Sequence, residues 1–119
     1  MADVIITRTD IKKYNEPGTM VSTNTIPAGD TGVIRADFND AKTIIVFAGL
    51  SAGKATIHVN PKSFMGRLKD IEVEVDPVDS QAISIESGPY VQTEGDYKGC
   101  IIFDTDVEIL VMVIQTPIP

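Results

Sequence analysis

Two apolar runs within residues 99–114, separated by the polar bend Asp104-Thr105-Asp106, constrain the fold more than any other feature of the sequence. The pair predicts a β-hairpin, because strand-forming runs on either side of a short polar bend are typical of paired strands. Successive side chains of a strand point to opposite faces of a sheet. In the second run, one face holds Val107, Ile109, Val111 and Val113, and the other holds Glu108, Leu110, Met112 and Ile114.

Both faces of this second run are apolar, whereas an antiparallel strand usually keeps one polar face in water. We therefore expect the strand either to lie between two packed layers or to have one face covered by another chain. Leu110, Met112 and Ile114 are the predicted contacts between copies of the chain.

Residues 69–76 show how the same chain encodes a solvated strand. Ile71, Val73 and Val75 alternate with acidic residues, which predicts a half-buried strand. Four carboxylates on one side would be costly under any apolar cover. We expect that side to face water or a basic surface.

The remaining strand signals predict an all-β fold. They lie at residues 4–7, 32–38, 43–48, 54–59, 82–86 and 90–93 and are separated by turn-forming residues. No long window has a helical stripe, although Pro61 could begin a short helical turn within residues 60–67. With 119 residues and 43% hydrophobic content, the chain can bury one core. We predict a single-domain antiparallel β-sandwich or jelly roll of about eight strands.

Residues 8–31 are polar, rich in turn-forming residues and without a hydrophobic period. This composition is typical of a long connection or a frayed terminus, or of an arm that crosses a neighbouring subunit. We divide the chain into a possible extended arm at residues 1–25 and a sandwich core at residues 26–119. The candidate contacts of the arm are Ile6, Arg8, Ile11, Lys12, Lys13 and Tyr14.

The supply of catalytic and metal-binding residues is thin. The chain has one histidine, His58, and one cysteine, Cys100, too few for a zinc cluster of nitrogen and sulfur ligands. His58 fits a partly exposed strand position, and Cys100 lies in an apolar run. The acidic bends could offer oxygen ligands to calcium, but Asp and Asn also occur in bends because they bond the nearby backbone. We predict no enzyme, no metal and no cofactor.

The distribution of charge limits the partners. The net charge is −7, and residues 67–119 hold eleven acidic side chains against three basic ones. Binding to DNA or RNA requires clustered basic residues, so we expect no nucleic-acid partner. No apolar run is long enough to span a bilayer as a helix, and no signal peptide is recognisable at the N-terminus. We expect no membrane partner and synthesis in the cytosol.

The run Ala82-Ile-Ser-Ile-Glu-Ser-Gly-Pro-Tyr90, followed by Glu94-Gly-Asp-Tyr-Lys-Gly99 and an apolar last strand, resembles auxiliary (decoration) capsid proteins of tailed bacteriophages. The resemblance covers roughly the second half of the chain and includes no catalytic signature. It implies a virion protein that binds the outer surface of an assembled head and bridges capsomers. It also implies the major capsid protein as partner and a homo-oligomer, with a trimer favoured.

An alternative is a carbohydrate- or cell-surface-binding β-sandwich from a phage tail or a secreted protein. Tyr90 and Tyr97 flank a polar bend and are the candidate ligand-binding residues, since tyrosine presents an apolar ring with a polar tip. Tyrosines at strand ends are also common structural residues, so both functions remain open at this point.

Overall fold

The computed structural model describes residues 2–62 and 69–117. It confirms the all-β fold class, because the described residues form a two-sheet β-sandwich and only two short 3-10 helices, Asp40–Lys42 and Gly95–Tyr97. The strands are β1 (Asp3–Ile5), β2 (Arg8–Asp10), β3 (Asn24–Ile26), β4 (Thr31–Arg35), β5 (Thr43–Gly49), β6 (Gly53–Ile57), β7 (Ile71–Val75), β8 (Gln81–Ile83), β9 (Cys100–Thr105) and β10 (Ile109–Gln115). These are ten strands, two more than the number expected.

The strand order in sheet A is β1-β4-β9-β6-β7, and in sheet B it is β2-β10-β5-β8. Strand β3 also pairs with β10, beyond the end of β2, along the same edge. Most pairs are antiparallel, as predicted, but β1 runs parallel to β4 and β2 runs parallel to β10. Both sheets are therefore mixed, and both parallel pairs involve strands from the first ten residues.

The predicted hairpin at residues 99–114 is wrong. Strand β9 lies in sheet A between β4 and β6, whereas β10 lies in sheet B beside β5. Asp106 anchors the bend to β6, because its backbone N–H donates to the Lys54 carbonyl and its Oδ1 accepts from the Lys54 N–H at 2.7 Å. Tight hairpin turns need positive φ angles, and no residue of this bend has one. The chain therefore crosses from one layer to the other.

The predicted arm is also largely wrong. Strands β1, β2 and β3 all lie within residues 3–26, so the expected boundary after residue 25 does not separate an arm from the sandwich. Ile6 belongs to the hydrophobic core. Three-residue strands are too short to show an alternating pattern in the sequence, and only their pairing with distant β4 and β10 defines them. Within this region only residues 6, 7 and 11–23 lie outside the strands.

The core lies between the two sheets and centres on Phe47 of β5 and Phe103 of β9. Their rings are nearly perpendicular, at 87°, with centroids 5.4 Å apart, a favourable arrangement for aromatic pairs. The other large side chains that are fully buried are Ile26, Ile45, Ile57, Ile101, Ile109, Val111 and Val113. One face of β10 is therefore completely covered by sheet A.

The connection between β8 and β9 contains no strand at residues 90–93, contrary to the prediction. The backbone N–H groups of Tyr90 and Val91 both donate to the Ser87 carbonyl at 2.9 Å, which closes a turn around Gly88 and Pro89. Tyr90 is buried and packs into the core. Residues 61 and 62 form a turn, and the rest of the helical turn predicted within residues 60–67 lies outside the described residues.

Candidate functional site

The outer face of sheet B is apolar along β5, β8 and β10 and has threonines on the edge strands β2 and β3. Cross-strand partners share a face, and the register places Leu110 opposite Ala48, Met112 opposite Val46, and Ile114 opposite Ile44. We call this surface the apolar face; it comprises Thr9, Thr25, Ile44, Val46, Ala48, Ala82, Leu110, Met112 and Ile114. None of these nine positions is charged.

The three residues predicted to contact another copy all point away from the core. Leu110, Met112 and Ile114 are half-buried, while the residues between them are packed under sheet A. Ile44 is 42% exposed, and Leu50, which continues the outward positions of β5, is 53% exposed. Sheet A therefore does not cover this face. The second explanation that the sequence suggests, that another chain covers this face, remains a prediction.

Residues 11–23 approach the apolar face at one end. The Ser22 backbone N–H donates to Thr9 Oγ1 at 2.8 Å, and this contact explains why Thr9 is buried although it points outward. The two residues that precede Ser22, Met20 and Val21, are exposed. Apolar side chains are therefore available next to the face as well as on it.

The six predicted arm residues lie in different environments. Ile6 is in the core and cannot reach a partner. The Arg8 guanidinium binds Asp10 and Asp37, each at 2.7 Å. Ile11 continues the pairing with β10, since its N–H donates to the Gln115 carbonyl. Lys12, Lys13 and Tyr14 are exposed, although the Tyr14 hydroxyl also donates to the Pro117 carbonyl at 3.3 Å. Of the six predicted arm residues, only Lys12, Lys13 and Tyr14 are exposed enough to contact a partner.

The Arg8–Asp10 pair predicts a pH dependence of stability. Their mutual hydrogen bond is the main cause that lowers the pKa of Asp10 and raises the pKa of Arg8. A carboxylate with a lowered folded-state pKa stabilises the fold above its unfolded pKa, and this contribution disappears as the pH falls through the folded pKa. In Asp10→Asn, the free energy of unfolding should therefore fall less steeply below about pH 4 than in the wild type.

Urea unfolding of Asp10→Asn between pH 2 and pH 6 measures this effect. Arg8→Gln removes the other partner and should flatten the acid limb in the same way. If the free energy of unfolding of Asp10→Asn depends on pH in the same way as that of the wild type, the Arg8–Asp10 pair does not contribute to acid sensitivity.

The outer face of sheet A is charged, in contrast to sheet B. Its outward positions include Asp3, Arg35, Lys54, Glu72, Glu74 and Asp104. His58 follows β6, with Nε2 2.5 Å from an oxygen of Asp104 and Nδ1 3.5 Å from an oxygen of Asp70. Thr31 Oγ1 donates to the other Asp104 oxygen at 3.0 Å. Local sequence could not reveal this cluster, because its carboxylates come from distant parts of the chain.

The His58 cluster borders a shallow depression of about 500 Å³, which Tyr97 also lines. The Tyr97 hydroxyl donates to Asp3 Oδ1 at 2.8 Å, and this bond is the main cause that raises the pKa of Tyr97. The Thr31 hydroxyl donates to Asp104. The polar groups here hold strands together.

The two tyrosines proposed for ligand binding do not form a site. Tyr90 is only 8% exposed, so its ring cannot stack on a sugar, and its assignment to ligand binding is wrong. Tyr97 is half-buried and lines the depression on sheet A. Sequence proximity suggested a pair, but the turn at Gly88 and Pro89 directs Tyr90 into the core.

Aspartates in the bends bind the backbone. Asp76 Oδ1 accepts from the N–H groups of Val78 and Asp79 at 2.8 and 2.7 Å, and these bonds lower the pKa of Asp76. Within residues 2–62 and 69–117, no group of three or more His, Cys, Asp or Glu side chains is arranged to hold a metal ion. Nor does this part of the chain contain a helix that is long and apolar enough to cross a membrane.

The fold and its surfaces define a small β-sandwich that has one charged outer face and one apolar outer face. The chain matches no family model, and comparisons with curated proteins and with solved structures found no significant match.

Proposed function

We propose that this protein is a non-enzymatic structural protein that self-associates and binds the outside of an assembled bacteriophage head, where it stabilises the joints between capsomers. The observation that carries the proposal is the outer face of sheet B, where none of the nine outward positions within the paired strands has an ionised side chain. Large exposed apolar patches on soluble proteins mark interaction sites. The resemblance of residues 82–99 and the last strand to decoration proteins supports the major capsid protein as the proposed partner.

The size of the apolar face fits the centre of an interface. Strands β5 and β10 are seven residues long, and four strands cross the sheet. With about 3.4 Å per residue and about 4.8 Å between strands, the face measures roughly 24 by 14 Å. A stable interface buries about 800 Å² on each partner, so the neighbouring exposed residues Met20, Val21 and Leu50 would have to form its rim.

Burial of this face would favour the assembled state. Each square ångström of apolar surface that is removed from water contributes about 25 cal/mol, and the protomer gains stability by mass action when its partner binds only the folded form. A trimer, as the resemblance implies, would use the face in a head-to-tail contact that closes a ring.

Two measurements test the proposal. Light scattering should give a closed oligomer, with the mass of three chains favoured, over a wide range of concentration. Electron microscopy of heads from the bacteriophage that carries the gene, with and without the protein, should show added density on the outer surface. A protein that remains monomeric at high concentration and leaves the heads undecorated would contradict the proposal.

A further inference from the structure

One lateral side of the sandwich is open. Strand β7 forms an edge of sheet A and β8 forms the adjacent edge of sheet B. Between them lies a slot of about 330 Å³, lined by β8 and by residues 71–74 of β7. In the described part of the chain, β7 pairs only with β6 and β8 pairs only with β5. We call this opening the lateral slot.

Hydrogen bonds within sheet A show which backbone groups of β7 point outward. The His58 N–H donates to the Ile102 carbonyl, and the Asp106 N–H donates to the Lys54 carbonyl. Alternate residues of an antiparallel strand bond to opposite neighbours. Residues 53, 55 and 57 therefore bond to β7 at residues 75, 73 and 71. The N–H and C=O groups of Glu72 and Glu74 consequently point away from the sheet.

The same reasoning applies to β8. The Leu50 N–H donates to the Glu108 carbonyl, and the Thr116 N–H donates to the Lys42 carbonyl, so the even-numbered residues of β5 bond to β10. Its odd-numbered residues bond to β8 at residues 81 and 83. The backbone groups of Ala82 therefore point outward beside those of β7, and both edges are available for another strand.

The side chains of β7 determine which strand could bind there. Glu72 and Glu74 are exposed on the outer face of sheet A, while Ile71, Val73 and Ile83 line the slot. A second β7 paired antiparallel to the first would place glutamates against glutamates, and like charges directly opposite each other are destabilising. A basic side chain on the neighbouring strand is favourable instead, as in the ion pair between Lys54 Nζ of β6 and Glu72 Oε2, which are 3.5 Å apart.

We propose that β7 accepts, by strand addition, an extended segment of a protein partner in which apolar side chains alternate with lysine or arginine. The partner backbone would bond the outward groups of Glu72 and Glu74. Its basic side chains would lie beside the two carboxylates, and its apolar side chains would enter the slot against Ile71 and Ile83. Unpaired sheet edges are common templates for this mode of recognition. The site shares only Ala82 with the apolar face, and strand addition to β7 does not require the protein to self-associate.

The test uses a capped seven-residue peptide that alternates lysine with valine. Titration of ¹⁵N-labelled protein should shift the amide signals of Glu72 and Glu74 and slow their hydrogen exchange. A peptide with glutamate in place of lysine should not bind. A lysine peptide whose backbone nitrogens facing β7 are methylated keeps its charge but lacks the N–H groups that would donate to the β7 carbonyls. It should also fail to bind.

A charge-reversal variant tests the specificity. In Glu72→Lys/Glu74→Lys, affinity for the lysine peptide should fall at least about tenfold, and the glutamate peptide should bind instead. Glu16→Lys/Glu108→Lys changes the net charge equally at exposed positions outside the slot and should bind the lysine peptide like the wild type. Glu74→Pro removes an outward N–H without removing a bond to β6 and should also weaken binding.

Several results would overturn the proposal. Binding that survives N-methylation, that falls equally in both double variants, or that shifts amides elsewhere would identify a purely electrostatic contact. The titration is repeated on Leu110→Asp, in which a carboxylate on the apolar face should prevent the proposed self-association. Peptide binding by this variant would support the lateral slot whether or not the protein decorates heads.

Discussion

Replacing Gly32 by alanine should lower the free energy of unfolding by about 3 kcal/mol, at the upper end of the usual cost of overpacking. Gly32 of β4 faces Phe103 across the strand pair, and a methyl group there would overlap the phenyl ring. The ring cannot move away easily, because Phe103 is fully buried and packs edge-on against Phe47. Urea denaturation followed by circular dichroism measures the loss.

Two further variants separate this overlap from a general effect of alanine. Gly32→Ala/Phe103→Leu removes the ring, so its loss should be smaller than the sum of the two single losses, as is typical of residues in direct contact. Gly88→Ala is the matched control, since a methyl group there would meet no atom within 4 Å. A Gly32→Ala protein as stable as the wild type would contradict the packing described for this site.

The second large effect is expected for Leu110→Asp, which should convert the proposed oligomer into a folded monomer. Leu110 is half-buried in the protomer and lies on the apolar face, so aspartate there remains hydrated in the monomer. In an interface it would be a buried, unpaired carboxylate, which costs about 3 kcal/mol or more. This cost corresponds to an association at least about 100-fold weaker. Light scattering and sedimentation measure the change.

Val78→Asp is the matched control for Leu110→Asp, because Val78 is 85% exposed in a loop and has no place on the apolar face. It should keep the mass of the wild type. Circular dichroism establishes that both variants are folded, and Met112→Lys provides a second interface variant if Leu110→Asp unfolds. Wild-type association in the two folded interface variants would assign the oligomer contact to another surface.

The segments with strong alternation were predicted well. Strand β7 (Ile71–Val75) lies within the predicted segment, residues 69–76, with Glu72 and Glu74 outward. Leu110, Met112 and Ile114 share one side of β10, as the period of two predicts. Alternation is a local property, since adjacent side chains of an extended chain point to opposite sides whatever the strand pairs with. For that reason the all-β class and most of the longer strands could be recognised without the structure.

Pairing could not be predicted in the same way. Strands β9 and β10 are neighbours in the sequence and have similar apolar runs, yet they lie in different sheets. The bend between them is bonded through Asp106 to Lys54 of β6, and such contacts form only when distant segments come together. The short strands β1 and β2 show the same limit, because each is defined by a parallel partner about 28 or 105 residues away.

The sequence by itself determined that this chain forms strands, that β7 has a solvated acidic side, and that Leu110, Met112 and Ile114 share one apolar side of the last strand. Only the tertiary structure decided which of the two apolar sides sheet A covers, and it leaves these three residues on the outer face of sheet B. The physical reason is that side-chain alternation is local, whereas burial depends on which layers meet. The resulting uncharged outer face is the surface for which we propose a partner.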